Sequence, residues 1–71
     1  MNWKFENNAL IRHRKSKKSA VVFSRVLNSN NYLIFLEGTG YVVKSRMEIE
    51  NQYEKMTARE IEEYQQTILW P

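Results

Sequence analysis

The sequence predicts a small α+β fold, mainly β: an antiparallel, β-barrel-like sheet of four to five strands with one C-terminal helix. Three observations predict it. Apolar and β-branched residues fall in short segments separated by Asn, Ser, Lys or Gly, as strands separated by turns do. The connections are too short for parallel crossovers, so sequence neighbours should pair antiparallel. A helix-start signal near residue 57 introduces a segment of good helix formers. The 71 residues allow one domain, 1–71. A domain of that size hides only roughly 60% of the surface its unfolded chain exposes.

Trp3 and Phe5 are expected to form a short edge strand or an anchoring arm. Residues 9–15 make a weakly alternating first strand, and Ser16-Lys17-Lys18-Ser19 is its polar connection. Residues 20–27 make the second strand, because Val21, Val22, Phe23 and Val26 are β-branched or aromatic. Asn28-Ser29-Asn30-Asn31 is a turn, since Asn tolerates left-handed backbone and bonds its own main chain. Residues 32–37 make the third strand; Tyr32 to Leu36 are apolar on both sides, so it should be a central strand covered on both faces. Glu37-Gly38-Thr39-Gly40 supplies a tight hairpin.

Residues 41–50 alternate and are expected to be one long strand. Tyr41, Val43, Ser45, Met47 and Ile49 would face the core; Val42, Lys44, Arg46, Glu48 and Glu50 would face water. The helix covers 58–69. Thr57 and Glu60 make a capping box, with Met56 and Ile61 spaced as a hydrophobic staple. Its apolar stripe of Ile61, Tyr64 and Ile68 is narrow, so the helix should pack over the second face of the 32–36 strand.

Ser24-Arg25-Val26-Leu27, a polar turn, and then Tyr32 to Val43 with Glu37-Gly38-Thr39-Gly40 at the bend resemble the central hairpin of SH3-like barrels of the Tudor and KOW type. The resemblance covers about twenty residues. It implies a small barrel and carries over no binding residue.

Several chemistries lack their residues. The chain has no Cys and one His, so neither a disulfide nor a four-ligand zinc site of the usual kind is expected. No Asp is present to orient His13, and no catalytic residue, metal or cofactor is expected. Glu48 and Glu50 would share the hydrophilic side of a strand without a cleft around them. Gly38-Thr39-Gly40 lacks the Lys-Ser/Thr and the helix of a phosphate cradle. The longest charge-free run, 26–36, has 11 residues, against about 20 for a membrane helix. No secretion-type apolar leader is seen, so a cytoplasmic protein without membrane contact is expected.

Charge is distributed unevenly. Residues 1–36 carry seven Lys/Arg against one Glu, a balance of +6; residues 37–71 carry four against seven Glu, a balance of −3. Arg12, Arg14, Lys15, Lys17 and Lys18 form one cluster, which with Arg25 is expected to contact the phosphates of DNA or RNA, and Lys44 and Arg46 would extend the surface. A non-enzymatic, regulatory nucleic-acid-binding module is the first expectation. The alternative is a compact protein-binding inhibitor or adaptor, such as mobile elements encode. It would use Tyr32, Tyr41, Tyr53, Tyr64, Trp70, Glu62 and Glu63, because Tyr, Trp and Arg dominate interface hot spots. A homodimer is compatible with either.

Overall fold

The computed structural model describes the backbone of residues 3–26 and 29–69, and the side chains of these up to residue 66. It is an α+β protein. The strands are β1 (Leu10–His13), β2 (Ser19–Val26), β3 (Asn31–Leu36), β4 (Gly40–Ser45) and β5 (Tyr53–Lys55). Helix α1 (Arg46–Gln52) joins β4 to β5, and α2 (Ala58–Leu69) follows β5. All pairings are antiparallel, in the order β4-β3-β2-β1-β5. β4 and β5 are the two edges, so the sheet is open and not closed into a barrel.

One sheet face is the core. Ile11, Ala20, Val22, Tyr32 and Ile34 are buried there with Phe5 and Ile49. Phe5 and the half-buried Trp3 come from an irregular N-terminal arm, so the arm anchors the chain and adds no strand among the described residues. Tyr32 is its socket. Its hydroxyl accepts from the Phe5 N–H at 3.2 Å and donates to Glu50 Oε2. The same carboxylate receives the Lys4 N–H at 2.9 Å and Arg46 Nε at 3.0 Å. The Trp3 ring meets the Tyr32 ring edge-on at 5.1 Å, and the Arg46 guanidinium lies 4.7 Å from the Trp3 centroid. Tyr53 is also buried, edge-on to the His13 ring at 5.0 Å. Neither Tyr32 nor Tyr53 is therefore the exposed interface tyrosine that composition suggested.

The 41–50 segment is not one strand. It breaks at Ser45, whose side chain accepts the Glu48 N–H at 3.2 Å and caps α1. Ser45-x-x-Glu48 has the same form as the Thr57-x-x-Glu60 signal, and the alternation around it concealed a helix. The expected faces are also reversed over β4. Val42 lies opposite Ile34 on the core side, whereas Tyr41 and Val43 lie opposite Phe35 and Leu33. Tyr41, Val43 and Met47 are exposed, at 66%, 57% and 71%. Ile49 reaches the core because it sits on the helix.

α2 starts as expected. The Glu60 N–H donates to Thr57 Oγ1 at 3.2 Å and the Thr57 N–H donates to Glu60 Oε1 at 2.8 Å. Met56 is buried, and it lines a shallow pocket together with Ile61. The helix does not cover the second face of β3. It approaches the sheet at β1, where Arg12 Nη1 meets Glu60 Oε2 at 3.1 Å. Among the described residues, Phe35 and Leu33 therefore have no layer over them comparable to the core side: Phe35 is exposed and Leu33 half-buried.

Candidate nucleic-acid interface

The β1–β2 connection is a built turn. The His13 N–H donates to Lys18 O at 2.9 Å, and the Lys17 N–H donates to His13 O at 3.0 Å. Inside it, His13 Nδ1 accepts the N–H groups of both Lys15 and Ser16 at 3.1 Å. The ring of His13 stands against Tyr53, so the sheet holds the acceptor in place. The Arg14 N–H donates to Gln52 O at 2.9 Å, tying the turn to the end of α1. Lys17 closes the turn with φ of 64°, in the left-handed region. That conformation costs a side-chain-bearing residue roughly 1–2 kcal/mol, which glycine would avoid.

The structure separates the basic residues into two groups. Arg12 pairs with Glu60, Lys44 with Glu48 at 3.5 Å, Arg46 with Glu50, Lys55 with Glu6 and Arg59 with Glu63. Arg25 donates from Nε to Phe5 O at 3.3 Å and lies over Trp3. Lys4 donates to Glu50 O at 3.1 Å. Among the described residues, Arg14, Lys15, Lys17 and Lys18 make no ion pair, and all four are exposed. Of the eight basic residues expected at a nucleic-acid site, the fold brings these four together on one turn. Arg12 lies beside them but crosses to α2. Arg25, Lys44 and Arg46 are held by partners elsewhere in the fold.

Electrostatics around Arg12 are settled locally. The Thr57 N–H holds the Glu60 carboxyl below the usual carboxylate value, and Arg12 and Lys17 act in the same direction. Glu60 is thus an anion that neutralises Arg12 and leaves the turn itself positive. Arg12 Nε is buried without a hydrogen-bond partner among the described residues.

Next to the turn lies the uncovered side of the sheet. Val21 is opposite Phe35, Phe35 opposite Tyr41, and Leu33 opposite Val43. A register shift between Val22 and Ser24 makes Phe23 the extra residue of a bulge, which re-aims its ring. The rings of Phe35 and Tyr41 are 5.1 Å apart, and Phe23 meets Tyr41 edge-on at 5.7 Å. Phe23 is 53% and Phe35 37% exposed. Lys17 of the turn and Phe35 of this face line one open groove of about 470 Å³, with Arg12, Ser19, Glu37, Gly38 and Tyr64. Glu37 is engaged there, accepting the Ser19 N–H at 3.1 Å. On the other flank His13, Arg14 and Lys15 border a pocket of about 200 Å³ with Asn51 and Gln52.

Of the residues expected at a protein interface, Tyr41, Glu62 and Glu63 are exposed and Tyr64 is half-buried in the groove wall; Trp70 lies outside the described residues. Sequence reasoning missed Phe23, Phe35 and the organising role of His13. A signal existed for Phe35: an apolar strand with two greasy sides needs two covering layers, and one helix with a thin stripe cannot supply both. No helix among the described residues is long and apolar enough to cross a membrane, and no group of three or more His, Asp or Glu among them could hold a metal ion. No family model matches the chain, and neither a curated protein nor a solved structure matches it.

Proposed function

We propose that the protein binds nucleic acid through the β1–β2 turn and acts as a small cytoplasmic regulator without catalysis. One observation carries this reading. Four cations, Arg14, Lys15, Lys17 and Lys18, project from a turn fixed by five backbone N–H bonds, while each of the other described cations has a carboxylate or a backbone carbonyl as partner. A rigid cluster of unneutralised charge binds phosphates by releasing their counterions. The cost of holding Lys17 in a left-handed conformation supports the same reading, because strain that a glycine would relieve tends to persist at functional sites.

The test is fluorescence anisotropy of labelled DNA and RNA at several salt concentrations. Binding at micromolar protein or tighter is expected, with log affinity falling against log salt at a slope of about −3 to −4 for four phosphates. Replacing Arg14, Lys15 and Lys17 together by Gln should abolish it with the fold intact. No binding at low salt, or binding indifferent to those replacements, would remove the reading.

A second reading, a protein-binding inhibitor or adaptor, is favoured by the exposed Tyr41 and Val43 on the uncovered side of the sheet. We also propose that the SH3-like resemblance of residues 24–43 reflects a related sheet. The two consecutive hairpins β2–β3 and β3–β4 support it, and the unpaired edges depart from a closed barrel.

A further inference from the structure

We infer that the nucleic acid this chain takes is single-stranded, with its bases stacked on Phe23, Phe35 and Tyr41 while the β1–β2 turn holds its phosphates. The inference rests on the proposed nucleic-acid reading and specifies the ligand of the same site. Three rings lie on one side of a sheet, 5.1 and 5.7 Å from the central Tyr41, and each remains exposed. Exposed rings beside a basic segment suit splayed bases, since every base has a π-face and stacking is worth about 1–3 kcal/mol per base. In a duplex those faces are already stacked and out of reach.

The two halves of the site are contiguous. Ser19 directly follows the basic turn, and Val21, the partner of Phe35, is two residues further along β2, roughly 7 Å at the strand rise. The groove shared by Lys17 and Phe35 bridges that distance, and Tyr64 of α2 forms part of its lining. Charge orders the ligand within it. Glu37 lines the groove and repels phosphate, so the backbone belongs at the Lys17 rim and the bases belong toward Phe35. Apolar rings on one side and unpaired cations on the other are complementary to the amphipathic character of a single strand.

The experiment compares a 12-nucleotide oligo(dT), a 12-nucleotide oligo(U) and a 12-base-pair DNA duplex by anisotropy at the same salt. At least tenfold tighter binding of one or both single strands than of the duplex is expected. Phe35→Leu and Tyr41→Ala should each weaken single-strand binding about tenfold with the salt slope unchanged. Tyr41→Phe should retain it, because the ring remains. Lys17→Gln should instead reduce the slope by about 0.7. Circular dichroism confirms that each variant is folded, and the residues changed are surface-facing. Equal binding of duplex and single strand, or unaltered affinity in Phe35→Leu and Tyr41→Ala, overturns the inference and leaves the turn reading standing. No binding of any probe defeats both. A self-association in sedimentation that Tyr41→Ala abolishes, without nucleic-acid binding, would give the rings to a second copy and overturn the inference as well.

Discussion

Tyr32 and Glu50 respond to pH in opposite senses. Burial, reinforced by the neighbouring Glu50, pushes the Tyr32 hydroxyl from 10.0 up to about 12. The folded state therefore prefers the protonated phenol. Its contribution is fully present below pH 10 and is lost as pH rises through about 12, amounting to about 2–3 kcal/mol. For Glu50, burial works to raise the pKa, but the Tyr32 hydroxyl, the Lys4 N–H and the Arg46 guanidinium outweigh it and hold the group below its usual value. That contribution is present above about pH 4.5 and is lost as pH falls through the lower folded value. Thermal unfolding followed by circular dichroism should show a plateau between these limbs. Tyr32→Phe is expected to shrink the alkaline limb between about pH 10 and 12, leaving the part due to Tyr53, whose hydroxyl burial also pushes up, and to cost about 2–4 kcal/mol at neutral pH for two lost hydrogen bonds, one of them to a carboxylate. An unchanged alkaline limb would assign it to another group. None of this network was legible in the sequence, because Tyr32 and Glu50 are 18 positions apart and meet only once α1 turns back over the sheet.

At the scale of the element, α1 depends on Ser45. The helix has seven residues, too few to persist without its cap and its packing. Ser45→Ala removes the acceptor for the Glu48 N–H and should cost about 1 kcal/mol. In a domain this small that lowers Tm by roughly 4–8 °C. Amide exchange should quicken from residue 47 to 53, and quickening confined to α2 would contradict the assignment. Most elements were legible. The β2–β3–β4 hairpins and the α2 capping box appear where turn residues and propensity place them. α1 was hidden because Met47 and Ile49 continue a two-residue alternation that runs through β4. Helical spacing from Ile49 to Tyr53 competes with that pattern, and the Ser45 cap decides between them. β5 was missed because three residues carry almost no pattern.

Across the whole molecule, stability is limited and the turn draws on it. The core side of the sheet is filled by Phe5, Trp3 and α1, while α2 meets the sheet at β1 through Arg12 and Glu60. Which face would be covered could not be read from β3, which is apolar on both. It follows from the arm and from α1, whose contributions depend on long-range contacts. Against that small core, a left-handed Lys17 is a sizeable cost. Lys17→Gly relieves it but gives the unfolded chain more freedom, so a net gain of about 0.5–1 kcal/mol is expected. The same change removes one of the four cations proposed to hold phosphate. Chemical denaturation and anisotropy on one preparation should therefore show a more stable protein that binds nucleic acid more weakly. A variant both stabler and equally tight would show that Lys17 has no part in binding.

The two edges of the sheet are unequal. β4 offers six residues of backbone with one side unpaired, whereas β5 has three and runs almost directly into α2. An exposed edge is a template for adding another strand. β4 is therefore the better seam: strand-to-strand association through it gives a pair, and growth into a filament would also have to use the short β5 edge, which limits the hazard of leaving so much of a sheet uncovered.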